Sequence, residues 1–156
     1  MRSECNLSFE AVKFKLEAYW AYQDRCTADI HQKLSEFNLS PTENQHLIQC
    51  LIDKSFLDDK RFAESFVSGK FKIKKWGRMK IRQGLRLKRM TEEQIKFGMS
   101  CIDPDVYWQT LIDLTERKWE DCRSEKDPFK RKVKVMRFLA QRGFEQDLIY
   151  AALEKY

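Results

Sequence analysis

An apolar residue, a leucine four positions on and a third apolar residue five beyond that recur three times in this chain. The triplets are Ile30–Leu34–Leu39, Ile81–Leu85–Met90 and Val135–Leu139–Phe144, offset by 51 and then 54 residues. Positions four apart share one face of an α-helix. The five-residue step matches a Schellman helix end, in which the residue after the left-handed C′ position touches the one at C3. The C′ residues are then Asn38, Arg89 and Gly143. Gly and Asn suit that backbone, whereas Arg89 costs about 1 kcal/mol or more there. Either the second unit ends differently, or the strain is tolerated because a cation is wanted at that place.

Each unit reads as helix, helix, tight turn, helix. The expected architecture is therefore all-α, with three tandem three-helix repeats over residues 1–55, 56–102 and 103–156. A three-helix unit this short buries little alone, so neighbouring units are expected to pack end to end into an elongated, curved array.

Start signals punctuate the chain at the matching places. Ser8 caps a helix with Phe9, Val12, Leu16, Tyr19 and Trp20 on its apolar stripe. A second helix fits Thr27 to Phe37, with Ile30 and Leu34 inward. Ser40-Pro41-Thr42-Glu43 combines a cap, a proline at the first helical position and a glutamate that reaches back, and Leu47, Ile48, Leu51 and Ile52 line the helix it opens. Asp58 or Asp59 caps the next helix, with Phe62, Ala63, Phe66 and Val67 inward. Trp76-Gly77 breaks the pattern before a helix over Arg78 to Lys88. Thr91 to Gln94 is a capping box, with Ile95, Met99 and Ile102 as the buried side of its helix. Asp103-Pro104 and Asp127-Pro128 open two more helices. The first of these is expected to bury Trp108, Leu111, Ile112, Thr115 and Trp119; the second carries Val135, Phe138 and Leu139. A last helix presents Leu148, Ile149, Ala152 and Leu153. Only five glycines and three prolines occur in the chain, which agrees with helices rather than many short strands.

Charge is distributed unevenly. Between Lys60 and Met90 there are twelve cations and one acid, Glu64, a local net charge of +11 in a chain of +6; the remainder sums to −5. A solvated helix face usually mixes both signs, so this block reads instead as a surface aimed at something anionic. The residues expected to contact a partner or phosphates are Lys70, Lys72, Lys74, Lys75, Arg78, Arg82, Arg86, Lys88 and Arg89. Arg78, Arg82, Arg86 and Arg89 fall at steps of four, four and three, on one face beside the Ile81/Leu85 stripe, and arginine suits forked contacts to phosphate or carboxylate. Lys70 to Lys75 reads equally as an extension of the preceding helix or as a loop. Phe71, Ile73 and Trp76 interleave with the lysines. Trp76 beside a glycine is expected to be a core wedge rather than a platform for a base.

No catalytic, metal or cofactor site is expected. His31 and His46 stand alone, and there is no glycine-rich phosphate loop or nucleophile motif. Asp58, Asp59, Glu64 and Lys70 are the nearest thing to a nuclease set, but the two aspartates are better explained as helix caps. The cysteines Cys5, Cys26, Cys50, Cys101 and Cys122 are odd in number and contain no CxxC, so buried free thiols are expected. The absence of a long apolar run and of a signal-peptide pattern points to no membrane association and to the cytoplasm.

The stretches Phe56-Leu57-Asp58-Asp59-Lys60-Arg61-Phe62-Ala63, Ser65-Phe66-Val67, Trp76-Gly77-Arg78 and Ile81-Arg82-Gln83-Gly84-Leu85 closely resemble the signature block of the RecX family, bacterial regulators of the recombinase RecA. Arg137-Phe138-Leu139 and Arg142-Gly143-Phe144 look like that family's third repeat. The resemblance covers nearly the whole chain and is weakest before Ser40. It implies three tandem three-helix repeats and a non-enzymatic role in the regulation of homologous recombination, DNA repair and the SOS response. The implied action is binding RecA, especially its filament on single-stranded DNA, and restraining its ATPase and strand exchange. A monomer is expected, with single- or double-stranded DNA as a secondary partner. The family often has glycine where this chain has Arg89. From the residues alone, the alternative is direct nucleic-acid binding through the basic segment 60–90.

Overall fold

The computed structural model describes residues 8–156, so the expectation for Cys5 lies outside the described residues. These residues form nine helices: α1 (Phe9–Tyr22), α2 (Thr27–Leu34), α3 (Pro41–Asp53), α4 (Asp59–Lys72), α5 (Arg78–Leu87), α6 (Glu92–Met99), α7 (Pro104–Asp121), α8 (Pro128–Gln141) and α9 (Gln146–Ala152). The start signals act as capping chemistry requires. Ser8, Ser40, Asp58, Thr91, Asp103 and Asp127 each accept a hydrogen bond from a first-turn backbone N–H. Ser40/Glu43 and Thr91/Gln94 close reciprocal capping boxes. Asp59 bonds across the molecule instead. Its carboxylate accepts from the backbone N–H and the hydroxyl of Thr27, tying the start of α4 to the start of α2.

Two of the three expected Schellman ends form. After α5 the Met90 N–H bonds the Leu85 carbonyl at 3.2 Å, and after α8 the Phe144 N–H bonds that of Leu139 at 3.3 Å. Arg89 and Gly143 take the left-handed conformation, at φ 56° and 87°. It is the first unit that ends differently. α2 stops at Leu34, short of Phe37, the Phe37 N–H bonds Leu34 and the Leu39 N–H bonds Phe37. Asn38 therefore stays out of the left-handed region. The same motif instead closes α3, where Ser55 lies at φ 56° and the Phe56 N–H reaches Leu51.

The hydrophobic interior divides in two, not three. One core gathers Val12, Leu16, Trp20, Ile30, Leu34, Leu47, Leu51 and Leu57 from α1–α3 and the segment just after them. The other runs without interruption through α4–α9, from Phe62 and Val67 through Ile81, Leu85 and Ile95 to Leu111, Leu139 and Leu153.

One inward assignment shifts by a position, and another fails. Tyr107, not Trp108, is the aromatic that α7 buries; Trp108 is 38% exposed, and Leu114 joins Leu111 and Thr115 inside. Tyr107, in the first turn of α7, packs its ring against both Phe71 and Phe144. Ile52 is likewise outside, at the edge of the α3 stripe. Of the described cysteines only Cys26 is buried; Cys50 and Cys122 are half-buried and Cys101 is exposed. No helix of the described residues is long and apolar enough to cross a membrane.

Candidate partner interface

The basic segment occupies the end of α4, the turn after it and α5. α4 continues through Lys72, so Lys70 and Lys72 are helical while Lys74 and Lys75 belong to the turn. Lys75 lies at φ 54°, and the Trp76 N–H folds back onto the Lys70 carbonyl at 3.0 Å. A left-handed residue ends a right-handed helix, which is why the extension stops there. Trp76 is half-buried against the larger core, as a wedge, and its ring carries the Lys70 and Lys80 ammonium groups at 4.8 and 4.7 Å from its centroid.

The chain then passes through a tight joint with the third unit. The Gly77 N–H donates to the Arg142 carbonyl at 2.7 Å, and the Met79 N–H to that of Gly143 at 3.0 Å. A Cβ on Gly77 would stand 2.3 Å from the Gly143 backbone. Next to this joint the Arg78 N–H donates to the Tyr107 hydroxyl at 3.0 Å, and that hydroxyl donates to Glu145. Burial, with Glu145 accepting the phenolic hydrogen bond, pushes the Tyr107 pKa far above its ordinary value, so the phenol remains a donor. The Arg78 guanidinium lies over the Tyr107 ring at 3.9 Å and pairs with Glu145 at 3.5 Å.

This geometry sorts the nine candidate cations. Arg78 is turned into the joint between α5, α7 and α9. The four arginines therefore do not form one open face, because the start of α5 is covered by the third unit. Lys88 is bound to Asp29 of α2 at 2.7 Å, and Arg86 to Glu92 at 3.1 Å. Lys70 is steadied by the Phe66 and Trp76 rings. Lys72, Lys74, Lys75, Arg82 and Arg89 are exposed and, among the described residues, hold no ion pair. Between them stand exposed apolar side chains: Ile73 at 77% and Leu87 at 78%.

A second basic element lies outside the segment singled out from the sequence. Residues 130–142 carry six cations and no acid. Arg131 is engaged by the Trp119 carbonyl and ring, Lys134 by Glu125, and Arg142 by the Lys74 carbonyl. Lys130, Lys132 and Arg137 hold no ion pair among the described residues. The signal was visible as a run without acids, but the negative sum of the flanking sequence hid it.

Two family models match this chain: the RecX second three-helix domain over residues 58–97 and the RecX third three-helix domain over residues 105–153. Curated relatives named regulatory protein RecX include one from Enterococcus faecalis, 29% identical over 137 residues, covering 87% of this chain and 51% of its own length. One from Clostridium botulinum is 34% identical over 103 residues, covering 65% of this chain and 48% of its own length. One from Vibrio campbellii is 29% identical over 131 residues, covering 84% and 82%. The chain thus spans about half the length of several curated relatives it matches. A crystal structure of RecX from Lactobacillus salivarius superposes with a TM-score of 0.84 at 20% identity, covering 94% of this chain and 95% of that one. Another RecX crystal structure gives 0.83 at 24%, covering 95% and 73%. These structural likenesses concern the helical repeat fold.

Proposed function

This chain belongs to the RecX family, and from that premise we propose that it binds the recombinase RecA, chiefly as its filament on single-stranded DNA, and restrains the filament's ATPase and strand exchange. The observation that carries the reading is the set of exposed cations Lys72, Lys74, Lys75, Arg82 and Arg89, which hold no ion pair among the described residues and share their segment of the sequence with exposed Ile73 and Leu87. Unsatisfied charge beside apolar side chains suits a protein surface with acidic and apolar features, or a DNA strand held within one. The role is regulatory, carried by binding rather than by chemistry.

The test is the single-stranded-DNA-dependent ATPase of the cognate RecA with this protein titrated in at fixed salt. Suppression is expected well below the concentrations that coat bare DNA. Arg82→Glu with Arg86→Glu is expected to raise the required concentration about tenfold or more, because reversal places like charge against the partner. Undiminished suppression by the double variant would show that the α5 face is not the interface.

A second reading, direct nucleic-acid binding by the basic segment, draws support from the lysines clustered at the turn after α4. It predicts binding to bare DNA that weakens steeply with salt as counterions are released. No effect on the ATPase alongside such salt-sensitive binding would favour it.

A further inference from the structure

Between the first and second units a cleft of about 460 Å³ opens where the end of α1 and the start of α2 face the last turns of α4. Its walls carry Arg25, Lys70, Lys74 and Lys88, and two carboxylates, Asp24 and Asp29. Both carboxylates are already matched. Asp24 pairs with Arg61 at 3.3 Å and accepts from the Ser65 hydroxyl at 3.0 Å; Asp29 pairs with Lys88 at 2.7 Å. Arg25, Lys70 and Lys74 therefore remain as three cations with no ion pair among the described residues. The cleft is electropositive even though it contains aspartates.

Arg25 is held in place before any ligand arrives. Its guanidinium lies 4.2 Å from the centroid of the Tyr19 ring, and its Nε is buried with no hydrogen-bond partner. Lys70 is steadied opposite by Phe66 and Trp76. The floor between them is apolar and contains Phe66, Gly69 and exposed Ile73. Preset cations around an apolar, partly aromatic floor match a nucleotide, with its phosphate on the cations and the flat face of its base on the floor.

We propose that this cleft seats one nucleotide of a single-stranded nucleic acid, with Arg25, Lys70 and Lys74 on the phosphate and Phe66 and Ile73 under the base. The inference rests on the reading that the protein works at single-stranded DNA. It adds a residue of the first unit, Arg25, to a surface otherwise confined to the second, and it makes the space between the units part of the strand's path.

The probe is a short fluorescent oligothymidylate, titrated with the full chain across a salt series without any recombinase. Arg25→Gln and Lys74→Gln are each expected to weaken binding about three- to tenfold and to lower the log–log salt slope by about 0.7, the loss of one single-strand phosphate contact. Arg123→Gln, an exposed change in the turn after α7, serves as the control and is expected to bind as the parent does. An abasic strand of equal length is expected to bind several-fold more weakly. Helix content by circular dichroism guards against misfolding from loss of the Arg25–Tyr19 stack. Lys74 carries the test if that occurs, because its side chain makes no hydrogen bond among the described residues.

Equal binding by Arg25→Gln, Lys74→Gln and Arg123→Gln would overturn the proposal. So would equal binding of abasic and normal strands, or displacement of the strand by polyglutamate as readily as by unlabelled oligothymidylate, which would make the cleft a general anion groove. None of these outcomes touches the recombinase reading, which the ATPase assay tests separately.

Discussion

Arg89 stands in the left-handed conformation at the end of α5, where Gly143 stands at the equivalent end of α8. A non-glycine residue there carries a backbone cost of about 1 kcal/mol. The side chain is exposed, and no ion pair among the described residues offsets that strain. Arg89→Gly is expected to raise stability by up to about 1 kcal/mol in urea unfolding and, on the proposed function, to weaken suppression of the RecA ATPase. A stability gain without functional loss would mean that the cation has no partner. Gly77 presents the opposite case. Its φ is ordinary, but a Cβ would meet the Gly143 backbone at 2.3 Å. Gly77→Ala is expected to cost about 3 kcal/mol or more, since backbone on both sides must separate; a midpoint unchanged in urea would show that the joint yields.

Elements matter here mainly through the way they are joined. α5 and α8 close in the same manner and present equivalent faces, but the start of α5 is buried under the third unit by Tyr107 and Glu145. The first unit is attached differently, by polar contacts around one buried thiol. The start of α2 inserts Cys26 into the larger core, receives Asp59 at Thr27, and pairs Asp29 with Lys88. Burial opposes ionisation of Asp29, yet the hydrogen bonds from Lys88 and Cys26 outweigh it and hold its carboxyl below the ordinary value. A carboxyl with a lowered folded pKa contributes stability that is present above the unfolded value of about 3.9 and is lost as pH falls through the folded one. Attachment of the first unit is therefore expected to loosen below about pH 4. Asp29→Asn is expected to cost about 1–2 kcal/mol at neutral pH and to remove that part of the acid dependence, as read by urea unfolding at a series of pH values. An unchanged acid profile in the variant would exclude Asp29 as its source.

For the molecule taken together, two cores imply two cooperative units. The α1–α3 core is the smaller, and its connection to the rest is largely polar. In native-state hydrogen exchange, amides of α1–α3 are expected to lose protection at lower denaturant than those of α4–α9. A single concerted loss across all nine helices of the described residues would mean that the polar joint couples the units fully. The proposed nucleotide site lies in that joint, so ligand binding would be expected to bring the two transitions together, since it stabilises only the state in which both walls are present.

Helix number, helix starts and most of the inward stripes were legible in the sequence because capping and periodicity are local: Ser40 needs only Glu43, and Leu85 needs only Ile81. The Schellman spacing named Arg89 as a C′ residue but left open whether the second unit ends differently, and the φ of 56° at Arg89 decides it. Asn38 escaped the rule because Phe37 turned the chain first. The fate of each cation was not local. Arg78 and Arg82 are one helical turn apart with the same chemistry, yet Tyr107 and Glu145, from 29 and 67 positions away in sequence, take up the first and leave the second open. Arg25 lay among mixed charges and showed no signal until Tyr19 and the end of α4 came to face it. Backbone hydrogen bonds and apolar periodicity act within a few residues, so the elements and the sign of the surface are already present in the linear chain. Neutralisation of a charge depends on distances in space, so the cations left free to meet a partner are selected only when the helices pack.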